Sequence, residues 1–408
     1  MDVAIIGGGP CGLITLDALI KENMGFNIKL FERRDKIGGC WNVTPPGKIS
    51  FIKQNPIDEL PKIIPSKVPK SKINRHMDTA AYDYLETNVE ATAMEFSIEK
   101  FPNNFKSRQG PEFRHHKDIL NWMETNFAKY EYIYLNTSLE LIEKIGNKFR
   151  LILRNFNKFD DYIYEEYFDK IVIATGHFDV PYIPNIIGLE QFKGTLIHSK
   201  HFRDRNLFKD KKTIVVGSSV SAMDSIRDIL SVVKLPALTS QRSNDHVYFG
   251  NDAFKHKDII IKPEIVKIEN NKVYYKDGNI EENVDAILLA TGYLYDYPFL
   301  KQVPDLFEMI FNINDPSMAF VGAITPGLTF KLFEWQAVLV AKSFAGRSNL
   351  PKKLIKNRQE VGYDFKTYFE TLRELAGESK IGRILPEFDE EWERCFYRGH
   401  EFRKNMWR

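Results

Sequence analysis

DVAIIGGGPCG, residues 2–12, is the stretch that decides the fold. Its apolar first half is typical of a strand in a parallel sheet that is covered on both faces. The second half places Gly7, Gly9 and Gly12 in the GxGxxG pattern. The first glycine permits a tight turn, the second lets a diphosphate approach the backbone, and the third packs a helix against the strand. A helix beginning at Pro10 would point free N–H groups at that diphosphate, so the stretch predicts a Rossmann-like dinucleotide-binding unit.

The chain that follows adds a carboxylate where such a unit needs one. The apolar run Asn27–Glu32 predicts a second strand. Glu32 lies about 20 residues after the loop, at the distance from which an acid binds a ribose hydroxyl. A GxGxxG pattern alone is common, whereas strand, loop, helix, second strand and acid together are specific. The alternative is an ordinary strand–helix–strand turn that binds nothing.

A second loop, GSSVSAMD at residues 217–224, also follows an apolar strand and precedes a helix-like segment. Only Gly217 of the three glycines is kept, with Ser219 at the second position and Ala222 at the third. Serine and alanine are the next smallest residues, so they hinder the approach of a diphosphate without preventing it. Hydroxyl groups here can donate hydrogen bonds to phosphate; they belong to Ser218, Ser219 and Ser221.

The strand predicted after this second helix, Ala237–Ser240, ends differently from its counterpart. It leads into Arg242 rather than into an acid. A guanidinium matches the 2′-phosphate that distinguishes NADP from NAD, and Ser240 is a second candidate for that phosphate. The alternative is that Arg242 is a solvated surface charge. The two loops together indicate FAD and NADPH, a pairing used for hydride transfer from nicotinamide to flavin.

Two apolar strands that end in Ala-Thr-Gly, Ile171–Gly176 and Ala286–Gly292, indicate the order of the domains. Each follows one of the loops, so the chain repeats a scheme of loop, crossover and ATG strand at the scale of a domain. We therefore predict an α/β fold with two Rossmann-like dinucleotide-binding domains, the NADPH domain being inserted into the FAD domain. Residues 1–177 would form the first part of the FAD domain and 178–285 the NADPH domain. Residues 286–408 would form the second part of the FAD domain with a C-terminal helical region.

Composition argues against several classes of protein. With 57 basic and 55 acidic residues the formal net charge is +2, so we expect no nucleic-acid or acidic-membrane partner. The three cysteines form no CxxC pair, which argues against a dithiol redox centre. No apolar run reaches the ~18 residues of a membrane span and no leader is recognised, so we expect a cytoplasmic protein without a membrane anchor. The pairs His115–His116 and His198/His201 lack further ligands nearby, so no metal site is predicted.

A longer motif lies between the two loops and resembles a family fingerprint. Residues Phe192–Phe202 fit FxGxxxHxxx(Y/F), which is similar to the fingerprint of flavin-containing monooxygenases. Other segments are similar to that family in the same order along the chain: Gly38–Asn42, Tyr82–Asn88, Met94–Phe96, Thr291–Leu300 and Glu334–Gln336. The related Baeyer–Villiger enzymes normally carry Trp-Pro where this chain has Phe202-Arg203. The resemblance extends from Val3 to about Leu350, and beyond it we expect a solvated, charged capping region.

The sequence departs from the family in two places. Glu90 stands where family members usually have proline after a Thr-Asn pair, and the second loop has lost two of its glycines. Both changes lie beside predicted binding residues, so they bear on loop geometry and on coenzyme affinity.

The resemblance implies FAD and NADPH as cofactors and assigns residues to each. For FAD the implied residues are Gly7, Gly9, Pro10, Cys11, Gly12, Glu32, Arg33, Gly39, Cys40, Trp41, Thr87, Asn88 and Gln336. For NADPH they are Gly217, Ser218, Ser219, Ser221, Ser240 and Arg242. We expect His198 of the fingerprint to join the domains rather than to take part in the chemistry.

The same resemblance implies an N,N-dimethylaniline monooxygenase-like enzyme that uses NADPH and O2. It would form a C4a-hydroperoxyflavin and oxygenate the nitrogen or sulfur of small amines or thiols. Asn88 is the expected catalytic side chain, because its amide can donate a hydrogen bond to the hydroperoxide; a structural asparagine in a turn is the alternative. An NADPH oxidase that makes hydrogen peroxide, a Baeyer–Villiger-type enzyme and an NADP-binding sensor stay open. The sequence determines neither the substrate nor the oligomeric state, for which a homodimer is one option.

A mostly apolar helix is predicted at Phe333–Phe344, after the turn Thr325–Gly327. If its N-terminus points at the pyrimidine edge of a flavin, the helix dipole stabilises the negative charge of the reduced ring. A core helix with no electrostatic role is the alternative.

Overall fold

The computed structural model describes residues 1–51, 59–71, 77–102, 107, 110, 112–242, 246, 248–324, 329–357 and 364–407. Within these residues the helices are α1 (Pro10–Lys21), α2 (Ala91–Met94), α3 (His116–Phe127), α4 (Val220–Ile229), α5 (Phe330–Phe344), α6 (Phe365–Ala376) and α7 (Glu390–Trp407). The strands are β1 (Asp2–Ile6), β2 (Asn27–Phe31), β3 (Ser66–Val68), β4 (Ile133–Tyr134), β5 (Thr137–Ile145), β6 (Lys148–Phe156), β7 (Asp161–Phe168), β8 (Lys170–Ile173), β9 (Val180–Pro181), β10 (Thr195–His198), β11 (Thr213–Val216), β12 (Ala237–Ser240), β13 (Ile259–Lys262), β14 (Ile265–Glu269), β15 (Lys272–Tyr275), β16 (Ile280–Glu281), β17 (Ala286–Leu289), β18 (Tyr293–Leu294), β19 (Leu306–Phe307), β20 (Phe311–Asn312) and β21 (Met318–Phe320).

The first domain is built on a seven-stranded sheet in the order β19-β20-β21-β8-β1-β2-β4. Its centre is parallel, with β1 between β2 and β8. Val3, Ala4 and Ile5 of β1 are fully buried, as an unbroken apolar run predicts for a strand that is covered on both faces. One face packs against α1, α3 and α5, and the other against the antiparallel sheet β3-β7-β6-β5.

The second domain has its own five-stranded parallel sheet in the order β10-β17-β11-β12-β13. The second loop connects β11 to α4, as predicted. Strand β17 lies between β10 and β11, so the predicted domain boundary after residue 285 is wrong. The strand belongs to the second domain because it hydrogen-bonds along β11, the strand that leads into the second loop.

The linkers between the two domains form a small sheet of their own. Strand β9 leads into the second domain and β18 leaves it, and the two strands pair antiparallel. The second domain is therefore inserted into the first, which confirms the predicted α/β fold with two Rossmann-like domains. The chain returns to the first domain after Gly292 rather than at residue 286.

The C-terminal region is not the solvated cap that its charges suggest. Helices α6 and α7 bury large side chains, among them Phe365, Tyr368, Phe369, Trp392, Phe396 and Trp407. These apolar residues recur at helical spacing, so each helix has one apolar face that packs against the protein in spite of its charged residues.

None of the helices within the described ranges is both long enough and apolar enough to cross a membrane. The same residues contain no group of three or more His, Cys, Asp or Glu side chains arranged to hold a metal ion. In open α/β sheets, ligands bind beyond the carboxyl ends of the strands, and both glycine loops lie there.

Candidate cofactor and active site

The first glycine loop is closed by a contact with the first ATG strand. Gly7 has a φ of 109°, and a Cβ atom there would lie 2.5 Å from the carbonyl oxygen of Ala174. A Cβ on Gly12 would lie 1.8 Å from the carbonyl oxygen of Gly7, so the helix and the strand can be this close only without a side chain. At Gly9 the nearest atom to such a Cβ is the Cα of Gly39, 3.5 Å away. That space and the absence of acids from the first turn of α1 fit the diphosphate of FAD.

Glu32 lies under this loop and is buried. Its carboxylate accepts hydrogen bonds from the backbone N–H groups of Gly8, at 2.6 Å, and Arg34, at 2.9 Å. Each carboxylate oxygen keeps a second lone pair, which suits the predicted contact with a ribose hydroxyl. The neighbouring Arg33 forms an ion pair of 2.9 Å with Asp179.

A cavity adjoins the first loop and contains most of the predicted FAD residues. Those in its wall are Gly7, Gly9, Pro10, Cys11, Glu32, Arg33, Gly39, Cys40 and Trp41. Gly12 lies beneath the loop, where it permits the packing of α1 on β1. Thr87 and Asn88 line a second, larger cavity instead. The Thr87 hydroxyl accepts a hydrogen bond of 3.1 Å from the backbone N–H of Arg114, so it supports the Asn88 segment.

Gln336 does not reach either cavity, which corrects its assignment as an FAD-binding residue. It is fully buried on α5. Its Oε1 accepts from the backbone N–H of Gly322, at 2.8 Å, and its Nε2 donates to the hydroxyl of Tyr368, at 2.9 Å. Because Gly322 lines the first cavity, Gln336 positions the wall of the cavity from behind.

Helix α5 begins at the wall of the first cavity. Phe330 and Phe333 in its first turn line this cavity. The first turn carries no acidic residue, so no carboxylate there opposes the positive end of the helix dipole. The direction of the helix toward a pyrimidine edge stays a prediction, and the turn Thr325–Gly327 lies outside the described residues.

The second loop repeats the closing contact of the first. Gly217 has a φ of 135°, and a Cβ there would lie 2.3 Å from the carbonyl oxygen of Ala290 in the second ATG strand. Ser219 has φ −94° and ψ −175°, an extended conformation that any residue adopts. A Cβ on Gly217 would be 3.5 Å from the Cβ of Ala222, an ordinary contact. The two lost glycines therefore cause no backbone strain.

The larger cavity, of about 890 Å³, adjoins this second loop. Its wall includes the predicted NADPH residues Gly217, Ser218, Ser219, Ser221, Ser240 and Arg242. The Arg242 side chain is exposed and forms no ion pair with the part of the chain that the structure describes. The Ser240 hydroxyl donates to the carbonyl oxygen of Pro263 at 2.7 Å. The contact of Ser240 with a 2′-phosphate stays a prediction, since it would require the hydroxyl to turn away from Pro263.

The two cavities share a wall. Five residues line both of them: Cys40, Trp41, His177, Phe178 and Phe330. The rings of Trp41 and Phe330 meet edge to face with centroids 6.0 Å apart. The ring of a ligand bound in the first cavity and the ring of a ligand bound in the second would therefore meet at this wall.

His177 in this wall was missed by the sequence analysis. It directly follows the first ATG, and that position was the signal that could have found it. Its Nδ1 lies 3.2 Å from the carbonyl oxygen of Gly322. Burial lowers the pKa of His177 to about 4, so the imidazole is neutral at pH 7.

Asn88 lies in the wall of the larger cavity, together with Trp41 and Met94. Its side-chain amide forms no hydrogen bond with any described residue. Both amide N–H groups and the amide oxygen are therefore available to a molecule in the cavity.

His198 of the fingerprint lies at the domain junction, where both of its ring nitrogens contact the backbone. Its Nδ1 accepts from the backbone N–H of Lys200, and its Nε2 donates to the carbonyl oxygen of Gly292, both at 3.1 Å. Burial lowers the pKa of His198 to about 3. The neutral ring therefore fixes the backbone where the chain leaves the second sheet.

Two Rossmann-like domains whose cavities share a wall define an oxidoreductase that uses two dinucleotides. The model of the NAD(P)-binding Rossmann-like domain matches residues 5–51, and that of the Flavin-binding monooxygenase-like family matches residues 70–249 and 251–379. The second match covers more than half of the chain, and the chain belongs to this family. It is a flavin-dependent monooxygenase that uses FAD and NADPH.

Named relatives agree over nearly the whole chain. The flavin-containing monooxygenase FMO GS-OX3 of Arabidopsis thaliana is 28% identical, over 95% of this chain and 82% of the relative. The trimethylamine monooxygenase of Roseovarius sp. (strain 217) is 28% identical, over 95% and 83%. The crystal structure of Tmm from Pelagibacter sp. strain HTCC7211 superposes with a TM-score of 0.76 at 25% identity, over 98% of this chain and 90% of that one.

Proposed function

We propose that this protein is an NADPH- and O2-dependent monooxygenase that oxygenates the nitrogen or sulfur of small soft nucleophiles. The observation that carries the proposal is the wall shared by the two cavities, with the uncommitted amide of Asn88 beside it. The relatives named trimethylamine monooxygenase support an amine as one substrate class.

Bound FAD would accept hydride and activate O2. Protein side chains cannot carry out either reaction. The backbone N–H groups that follow Gly9 hold its diphosphate, and Glu32 holds its ribose. Ser219 and Ser221 hold the diphosphate of NADPH, and Arg242 holds the 2′-phosphate. From the family resemblance we also propose that the transferred oxygen would come from a C4a-hydroperoxyflavin.

Asn88 donates an amide N–H to the oxygen atom that is transferred, and its amide oxygen orients the nucleophile. The aromatic residues of the shared wall, Trp41, Phe178 and Phe330, exclude water. Exclusion of water prevents the loss of activated oxygen as hydrogen peroxide. Burial keeps His177 neutral at pH 7, so it supplies no imidazolium, and we assign it a role in shaping the wall.

The test follows NADPH consumption by the FAD-loaded protein with trimethylamine and with a small thiol. Oxygenated product equal to the NADPH consumed, with little peroxide, is the expected result. Peroxide equal to NADPH with every amine and thiol would indicate the NADPH oxidase instead. Ester formation from a ketone would indicate the Baeyer–Villiger alternative, which Phe202-Arg203 in place of Trp-Pro disfavours.

A further inference from the structure

Helix α7 belongs to the cores of both domains. Its first half places Trp392, Cys395 and Phe396 in the core of the first domain. The indole Nε1 of Trp392 donates to the carbonyl oxygen of Ala93 at 2.7 Å. At its other end Trp407 belongs to the core of the second domain. The helix therefore spans the junction that the two linkers also cross.

The middle of α7 binds the segment that carries Asn88. The Arg398 guanidinium forms two hydrogen bonds with the carboxylate of Glu90, one of them 3.0 Å long from Nε to Oε2. The Glu90 side chain is only 4% exposed, whereas that of Arg398 is 50% exposed. A Cβ on Gly399 would lie 2.9 Å from the backbone nitrogen of Glu90, so the helix backbone contacts this segment directly. Glu90 is the residue that replaces the usual proline, and the structure gives that departure a partner.

The last turns of α7 bind the helix that follows the second loop. Arg403 pairs with Asp224 of α4, and Arg227 of α4 donates to the backbone carbonyl of Trp407. The Trp407 ring packs edge to face against Phe249, with centroids 5.2 Å apart. Because α4 begins at the end of the second loop, directly after Ser219, its position sets the position of that loop.

The same helix also lines the larger cavity. Phe396 and His400 of α7 are part of its wall, together with Tyr248 and Phe249 of the second domain. The rings of His400 and Tyr248 are 4.7 Å apart. Helix α7 thus contacts both the Asn88 segment and α4, and it lines the cavity between them.

We propose that α7 is a latch in which Glu90, Arg398, Asp224 and Arg403 are positioning residues for NADPH and Asn88. The Glu90–Arg398 pair holds the Asn88 segment, and the Asp224–Arg403 pair holds the second loop at a fixed distance from it. The latch rests on the proposed function in one respect, the binding of NADPH at the second loop. Breaking either pair lowers the population of the arrangement in which both sides of the cavity are in place.

The test measures NADP⁺ binding by the FAD-loaded protein. Arg398→Ala and Arg403→Ala are each expected to raise the NADP⁺ dissociation constant about three- to tenfold. Arg398→Lys keeps the charge and is expected to recover most of the lost affinity. During turnover with amine, the alanine variants are expected to release a larger fraction of NADPH equivalents as peroxide. Recovery in Arg398→Lys ties the loss to the ion pair with Glu90, because both variants change the same side chain and only lysine keeps a cation there.

Arg394→Ala is the matched control. Arg394 lies on the same helix and pairs with Glu391 of that helix, where the two side chains are 74% and 60% exposed. The NADP⁺ affinity of the Arg394→Ala variant is expected to equal that of the wild type. Affinities of Arg398→Ala and Arg403→Ala within about twofold of this control would overturn the latch.

Hydrogen exchange separates this proposal from the proposed function. The amides of α2 and α4 are expected to exchange faster in Arg398→Ala and Arg403→Ala, respectively, than in Arg394→Ala. A wild-type protein that fails to bind NADP⁺ would contradict the proposed function, while faster exchange in the variants would still support the latch. Exchange that is unchanged at both helices would overturn the latch whatever the protein binds.

Discussion

The two glycine loops share their first glycine for one physical reason. A Cβ on Gly7 would lie 2.5 Å from the carbonyl of Ala174, and one on Gly217 would lie 2.3 Å from the carbonyl of Ala290. Both loops also place the glycine at a positive φ, 109° and 135°. The ATG strand beside each loop therefore excludes a side chain at this position, whichever dinucleotide the loop serves.

The loops differ at the third glycine in the space that is left for a side chain. A Cβ on Gly12 would lie 1.8 Å from the carbonyl of Gly7, whereas Ala222 carries its Cβ within the core of the second domain. The GxGxxG pattern therefore combines separate steric requirements. The second loop keeps only the first of them, which is set by the close contact of the first glycine with the ATG strand. A loop with one glycine can be as well formed as a loop with three.

Gly12→Ala is expected to have the largest effect. The new methyl group meets a backbone oxygen that cannot rotate away, so we expect a loss of about 3 kcal/mol or more in the free energy of unfolding. FAD content after purification is expected to fall with it. Ala222→Gly, the mirror change in α4, is expected to lower the free energy of unfolding by about 1 to 2 kcal/mol, because glycine has the lower helix propensity and the buried Ala222 methyl group is lost. Urea unfolding of both variants is the measurement, and equal losses would contradict the distinction between the loops.

Asn88→Ala tests whether the cavity between the loops is the reacting site. We expect a product yield about a hundredfold lower, because the amide hydrogen bond to the transferred oxygen is lost. The rate of flavin reduction by NADPH is expected to stay unchanged, since Asn88 lies outside both loops. Product and peroxide are measured per NADPH consumed. Wild-type coupling in the variant would remove Asn88 from the mechanism.

Arg242→Ala tests whether the second loop is the NADPH loop. The KM for NADPH is expected to rise about tenfold, because a charge-assisted contact with the 2′-phosphate is lost. The KM for NADH is expected to change little, since NADH has no such phosphate. Arg242→Lys is the control that keeps the charge without the planar fork. Equal effects on both coenzymes would show that Arg242 is a surface charge.

Ser219→Gly is expected to have the smallest effect. The backbone of Ser219 is already extended, at φ −94°, so glycine relieves no strain there. NADP⁺ affinity is expected to change by less than about threefold, the loss of one hydroxyl contact being partly offset by easier approach of the phosphate. A gain well above tenfold would mean that the serine obstructs the site.

Much of the fold could be predicted because its determinants are local. The strand, loop and acid of residues 2–32 and the two ATG strands have short-range patterns with direct physical causes. The boundary after residue 285 was wrong because a strand's partner is a long-range property. The apolar pattern of β17 indicates a strand but does not show which of the two sheets contains it.

The candidate site was predicted less completely, because side-chain direction depends on tertiary neighbours. Gln336 lies close to the first cavity, yet both ends of its amide bond to the protein. Ser240 lines the larger cavity, yet its hydroxyl donates to the carbonyl oxygen of Pro263. Phe396 and His400 of α7 belong to no motif, and only packing brings them to the cavity. Residues that hold a ligand through the backbone are thus easier to predict than residues that form a wall.

The most direct test of the central claim, that the two loops present their ligands to one shared wall, is the lifetime of the C4a-hydroperoxyflavin. Stopped-flow absorbance would compare protein reduced by NADPH with protein reduced by dithionite in the absence of coenzyme, each mixed with O2. We predict a lifetime at least about tenfold longer after NADPH, because NADP⁺ in the second loop excludes water from the wall. Equal lifetimes, or no reduction by NADPH, would contradict the account.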